Sequence, residues 1–284
     1  HDEYGVPYFN ADIHRVLDYS KYFQYLLKSE TNTVKSTRIN MSTFWASKTD
    51  ITDNIEIISL NPYRYPTPHA KLGFWNHPST AILDDFEKVL SSTKKATNRD
   101  EKRTLFVQCH FPVKVMITRQ KTSISKLTLT DLLEKYHVDL VLTGHLHPKE
   151  PSLLHTSNGV LEIVGSDLKG SKGVGIISVD KGNQIYYHSE HFDDIEPDTL
   201  EGMPNAIVLN PIPFEQISQS SVFNEKEIEV RVICFTSMSN VSLHAKIEKD
   251  SKIYEKNLVF DHLLTQNQAL YVAKFNLSEY GKYN

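Results

Sequence analysis

Two short segments of the chain carry side chains that could do chemistry. Gly144-His145-Leu146-His147 follows directly on the apolar run Val138–Leu142, and Cys109-His110-Phe111-Pro112 follows directly on Thr104–Gln108. Two imidazoles at i and i+2 past a strand end turn toward one site if the loop is tight, and Gly144 permits that turn. His110, placed ahead of a rigid proline, repeats the arrangement at a second strand end. In an open α/β sheet the carboxyl ends of the strands are where ligands bind. Neutral imidazole is a ligand for zinc, iron, manganese and related ions. Singly, each segment is a weak signal. A histidine after a strand is more often a capping or packing residue, and an exposed loop with two ordinary histidines accounts for Gly-His-x-His equally well. Two strands ending in histidine at one sheet edge are harder to dismiss, and they point to a metal site.

The remaining polar features read as ordinary. Asp12-Ile13-His14 lies among Val16, Leu17, Tyr19 and Tyr22 at helix-like spacing, which places His14 on a surface. His69 and His77 flank the loop 66–78 and read as solvated. Lys169-Gly170-Ser171-Lys172-Gly173 looks like a phosphate-binding loop only superficially, because no helix follows it; a hairpin turn is expected there. Asp139 and Asp167 could orient a ligand from behind, but nothing in the sequence assigns them that task.

The elements that must position the histidines alternate. Ile55, Ile57 and Ile58 mark a buried strand over Asn54–Leu60, followed by the turn-rich Asn61-Pro62-Tyr63-Arg64-Tyr65-Pro66. Leu83, Phe86, Val89 and Leu90 have helical spacing behind a Thr80 cap, with Lys88, Lys94 and Lys95 toward the C-terminal end, where positive charge suits the dipole. Thr104–Gln108 is a second strand. Leu129, Leu132, Leu133 and Tyr136 form a second amphipathic helix, opened by Thr128 with Asp131 three residues on. Val138–Leu142 is a third strand. Strand alternating with helix predicts α/β layers. Short strands at Val160–Val164, Val174–Val179 and Gln184–His188 follow. A linker is expected where Asp193, Asp194, Glu196, Asp198 and Glu201 accompany Pro197, Pro204, Pro211 and Pro213. Beyond it the pattern has period two: Ile228, Val230, Val232 and Cys234; Val241, Leu243, Ala245 and Ile247; Ala269, Tyr271, Ala273 and Phe275. That predicts an antiparallel β-sandwich of Ig-like size, short of strands and truncated at its C-terminal side.

The pairing of a strand–His-Phe-Pro with a strand–Gly-His-x-His resembles the last two motifs of the calcineurin-like metallophosphoesterases. That family carries D-x-H, G-D-x-x-D, G-N-H-[DE], a strand-end His usually preceded by Gly, and G-H-x-H, in this order. His110 matches the fourth, with Cys109 where glycine is usual, and Gly144, His145 and His147 match the fifth. The opening His1-Asp2 matches the second half of G-N-H-[DE]. With a short β-sandwich joined through Asn210-Pro211-Ile212-Pro213-Phe214-Glu215, the chain is similar to the transmembrane-protein-62-like proteins of eukaryotes, in which membrane helices follow the sandwich.

The resemblance implies a fold, a chemistry and a set of roles. The fold is the C-terminal part of a four-layered metallophosphoesterase β-sandwich flanked by helices over 1–195, followed by a partial Ig-like domain over 205–284. The cofactor is a pair of divalent ions (Fe, Mn, Zn or Mg) sharing a bridging Asp. His110 and His145 match ligands of the second ion and His147 a ligand of the first. His1 matches the proton donor to the leaving alkoxide, with Asp2 orienting its ring. The reaction is metal-assisted hydrolysis of a phosphate ester, by in-line attack at phosphorus. D-x-H and G-D-x-x-D belong ahead of His1; Asp12-Ile13-His14 has the wrong order to replace them. The chain is therefore expected to be the C-terminal half of an enzyme and inactive alone. It would be membrane-associated through helices beyond residue 284, with its catalytic part lumenal or extracellular. A non-catalytic binding module on a degenerate phosphoesterase fold is the alternative. A mononuclear protein using His110, His145 and His147 is a third.

Composition bounds all three. Hydrophobic residues are 39% and charged ones 23%, which excludes collagen-like and low-complexity chains. A net charge of −4 lacks the basic footprint of a nucleic-acid binder, and no apolar run approaches the ~18 residues of a membrane span. Cys109 and Cys234 have no metal-type spacing and could form at most one disulfide. The sequons at Asn40, Asn240 and Asn276 merely permit a lumenal location.

Overall fold

The structure is a computed structural model that describes residues 39–42, 45–62, 78–93, 103–116, 119–167, 170, 172–180, 184–191, 206–212, 216, 227–235, 242–249, 252–265 and 268–276. His1, Asp2, Asp12–His14, His69, His77, Val241 and most of the expected linker lie outside the described residues. In chain order the elements are β1 (Ile39–Ser42), β2 (Ala46–Asp50), β3 (Ile55–Leu60), helix α1 (Thr80–Ser91), β4 (Thr104–Gln108), a 3-10 turn (Val113–Val115), helix α2 (Leu129–Lys135), β5 (Leu140–Thr143), β6 (Ser152–His155), β7 (Leu161–Val164), β8 (Gly173–Asp180), β9 (Gln184–His191), β10 (Ala206–Asn210), β11 (Glu227–Phe235), β12 (His244–Lys249), β13 (Lys252–Asn257), β14 (Val259–Thr265) and β15 (Gln268–Asn276). Seven strands share one sheet in the order β1-β2-β3-β4-β5-β7-β6. The architecture is sheet-rich α/β with few helices. By packing the chain divides into two compact units, His1–His145 with His155–Glu162, and Leu146–Leu154 with Ile163–Asn284.

In the first unit β3, β4 and β5 run parallel, and β2 pairs antiparallel with β3. Thr104 to Val107 are all buried, as a parallel strand covered on both faces requires. Ile82, Leu83, Phe86, Val89 and Leu90 of α1 and Leu129, Leu132 and Leu133 of α2 close the core over Ile58, Leu105, Val107 and Val141. The cap of α1 is Ser79 rather than the expected Thr80. Ser79 still has an extended backbone, and its hydroxyl accepts from Ile82 N at 3.3 Å, while Thr80 is already helical. The capping box of α2 is as the sequence predicts, with Thr128 Oγ1 accepting from Asp131 N and Asp131 accepting from Thr128 N. At the start of β3 the fully buried Glu56 receives Lys48 Nζ at 2.9 Å and Arg103 Nη1 at 3.3 Å. Lys48 also reaches Ser92 O, and Arg103 reaches Tyr136 O, so every buried charge there is bonded.

In the second unit an antiparallel sheet has the order β10-β11-β15-β14, beside the hairpins β8–β9 and β12–β13. β11 and β15 pair from Glu227↔Asn276 to Phe235↔Gln268. Val230, Val232 and Cys234 pack with Ala269, Tyr271, Ala273 and Phe275 against Ala245 and Tyr254 of the β12–β13 hairpin. The other face places Ile207, Leu209 and Leu270 against Tyr186 of β9. The period-two residues of β11 and β15 thus face a core as expected. The acidic, proline-rich stretch ends in a strand, since Ala206–Asn210 is β10. No helix among the described residues is long and apolar enough to cross a membrane.

Candidate metal centre

The register of β4 and β5 builds the site. Gln108 sits opposite Leu142, and the ladder runs past both strand ends: Cys109 N–H donates to Leu142 O at 3.0 Å and Gly144 N–H to His110 O at 3.1 Å. His110 is thereby laid beside Gly144-His145. His145 has φ 69°, in the left-handed region, and its ring returns toward His110, so that His110 Nε2 and His145 Nδ1 are 3.2 Å apart. The Phe111 ring supports both, with centroids 4.5 Å from His145 and 4.9 Å from His110.

The turn expected at Gly144 is made elsewhere. Gly144 has no positive φ, and a Cβ on it would meet only His110 O at 4.0 Å, an ordinary contact. The left-handed residues are His145 and His147, at φ 69° and 48°. Each costs on the order of 1–3 kcal/mol, and such strain concentrates at functional sites.

The ring pair suits a cation. At 3.2 Å two ring nitrogens share either a proton or a metal, because two bare lone pairs repel. Two nitrogens each ~2.0–2.1 Å from one tetrahedral ion are themselves about 3.3 Å apart. The donor type and the spacing both fit one ion. Among the described residues no group of three or more His, Cys, Asp or Glu side chains is set to hold a metal, so the structure brings together two of the expected ligands. His147 belongs to the second unit, where its Nδ1 lies 2.7 Å from Asp167 Oδ2 and Asp167 Oδ1 accepts from Gly170 N at 2.9 Å. Asp167, unassigned from the sequence, is therefore a partner of a predicted site residue. Asp139 is structural, its Oδ2 accepting from Leu105 N at 2.8 Å.

Sequence reasoning missed Glu162. It is fully buried in β7, and its Oε1 accepts from Val113 N at 2.7 Å and from Thr143 Oγ1 at 3.3 Å. Desolvation pushes its carboxyl above the usual range, against those two bonds and the charge of exposed Lys114. Burial also drives the Cys109 thiol up, with Glu162 adding to the effect, and its Sγ lies 3.2 Å from Phe111 O. The signal for Glu162 was a single acid inside the apolar run Val160-Leu161-Glu162-Ile163-Val164.

Parallel strands whose carboxyl ends present paired imidazoles define the kind of site that metal-dependent hydrolases use. Residues 1–149 match the family model of the calcineurin-like phosphoesterases, which is more than half of the chain, and the chain belongs to that family. At family level this means a hydrolase acting on phosphate esters with divalent metals. No curated protein matches the chain.

Proposed function

We propose that the chain contributes the histidine side of a two-metal centre that hydrolyses phosphate esters. The observation that carries this reading is the 3.2 Å approach of His110 Nε2 to His145 Nδ1 at the carboxyl ends of parallel strands, in a member of this family. His110 and His145 hold the second ion and His147 the first, while the bridging carboxylate comes from motifs ahead of His1 in the parent protein. Divalent ions bound there (Fe, Mn, Zn or Mg) supply Lewis-acid stabilisation of charge developing on the phosphoryl oxygens. The chain's own side chains bind and orient. Asp167 on Nδ1 of His147 leaves Nε2 as the ligating atom and fixes the ring plane. His1 gives a proton to the leaving alkoxide, and Asp2 orients that ring. The phosphoesterase and Ig-like limits 1–195 and 205–284 belong to the same reading. So do the likeness to transmembrane-protein-62-like proteins, the membrane helices beyond residue 284 and a lumenal or extracellular catalytic part. These rest on the resemblance.

Calorimetric zinc titration of the chain and of its His110→Ala and His145→Ala variants tests the site. Each substitution should weaken binding by about 10-fold or more. In the parent protein His145→Ala should abolish metal-dependent hydrolysis of an aryl phosphate. Zinc affinity unmoved by either substitution would sink this reading in favour of a non-catalytic binding module.

A further inference from the structure

A glutamate in the interior of β7 is costly unless its oxygens are bonded, because burying a carboxyl without partners costs several kcal/mol. Its neighbours Leu161, Ile163 and Val164 are buried and apolar, as is Val160 just ahead of the strand. What distinguishes the position is where its two donors lie in the chain. Val113 N–H follows His110 by three residues and opens the 3-10 turn, where the first N–H groups have no partner of their own. Thr143 is the last residue of β5 and precedes His145 by two. One oxygen, Glu162 Oε1, takes both. Phe111, whose ring supports both imidazoles, lies on the short path between His110 and the pinned Val113.

We infer that Glu162 is a positioning residue of the metal centre, whose Oε1 ties the turn after His110 to the strand end before His145 and so holds the two imidazoles at ligand spacing. The inference rests on the proposed reading of His110 and His145 as ligands. All the residues concerned lie in the first compact unit. An apolar residue in place of Glu162 would fill the space equally well. It would leave the Val113 N–H and the Thr143 hydroxyl without this acceptor, and the two histidine-bearing segments could then separate. A glutamine keeps an acceptor oxygen at the same reach, so it should preserve the tie.

The test compares Glu162→Leu, Glu162→Gln and, as a stability control, Leu161→Ala, in the whole chain. Two readouts are taken: zinc affinity of the folded population, and the ¹⁵N signals of the His110 and His145 rings without metal. Glu162→Leu should weaken zinc binding about 10- to 100-fold and shift the ring signals away from the paired state. Glu162→Gln should stay within about 3-fold of the parent chain. Leu161→Ala should lower the urea midpoint by opening a cavity yet leave affinity and ring signals in place. If Glu162→Leu does not fold, Thr143→Val removes one of the two donors at nearly constant shape and should weaken zinc binding several-fold. The inference is overturned if Glu162→Leu, or Thr143→Val in its place, keeps the parent affinity and ring signals, or if Leu161→Ala disturbs them as much. When His110→Ala and His145→Ala weaken zinc binding but Glu162→Leu does not, only the positioning role fails. When none of the three does, the metal reading itself has failed.

Discussion

The two ends of the parallel strands in the first unit treat buried charge in opposite ways. At the amino end Glu56 is fully buried, but Lys48 and Arg103 neutralise it from within 3.3 Å, and both cations are bonded further to carbonyls. At the carboxyl end Glu162 is equally buried, yet the donors on it are an amide and a hydroxyl, from the two segments that carry the paired imidazoles. The first end is electrically complete. The second is rich in lone pairs, and among the described residues the cation that acts on Glu162 is the exposed Lys114. The contrast shows how one sheet separates a structural edge from an edge suited to a cation: the difference lies in the charge of the partners, not in burial.

The largest expected effect breaks the structural end. Glu56→Ala takes the nearer carboxylate from buried Lys48, which keeps Asp50 at 3.7 Å, and removes the one at 3.3 Å from Arg103; urea unfolding should show a loss of ~3–5 kcal/mol. Replacing Lys48 and Glu56 together by Met and Leu should recover part of that loss, because the buried ammonium goes with its carboxylate while Arg103 keeps its bond to Tyr136 O. A loss below 1 kcal/mol for Glu56→Ala would mean that the charges at this end are hydrated rather than mutually dependent.

A middle-sized effect tests strain in the segment that follows His145. His147 is exposed but left-handed at φ 48°. His147→Gly should therefore be about 1 kcal/mol more stable than His147→Ala, since both lack the ring and only glycine suits that backbone. Equal urea midpoints for the two variants would show that the backbone relaxes and that no strain is held there.

The smallest effects are pH slopes of opposite sign. Glu162 keeps its proton to higher pH in the folded state than in the unfolded chain, because desolvation raises its pKa. Its contribution is thus fully present below the ordinary carboxylate range and is lost as pH rises toward the raised value. Glu162→Gln should remove that slope above about pH 4. Asp131 is held low, first by the Thr128 hydroxyl and then by the Thr128 amide. Its contribution is present above the ordinary range and is lost as pH falls. Asp131→Ala should cost about 0.5–1 kcal/mol at neutral pH and nearly nothing in acid. Slopes of the same sign for the two sites, read from urea midpoints across pH, would contradict the assigned environments.

Local chemistry was legible in the sequence. The limits of β4, the buried face of α1, the Thr128–Asp131 box and the two histidine segments all follow from residues within a few positions of one another. Even there, competition between neighbours moved the cap of α1 from Thr80 to Ser79. Strands β13 and β14 were not legible, because Lys252–Asn257 is largely polar and Val259–Thr265 leaves Val259, Phe260 and Leu263 exposed, which breaks the period-two signal.

What the sequence determined by itself was which side chains stand at strand ends, since period and capping act over one or two turns of chain. The meeting of His110 with His145 depends on the β4–β5 register, across 35 positions. The bonds from Glu162 span 49 and 19 positions, and the pairing of His147 with Asp167 spans 20. No local pattern encodes such contacts, because they arise only when long-range strand pairing and burial have brought the segments together. The tertiary structure alone also decided that the left-handed turns fall on the histidines rather than on Gly144. A backbone takes up that strain only where its surroundings hold it in place.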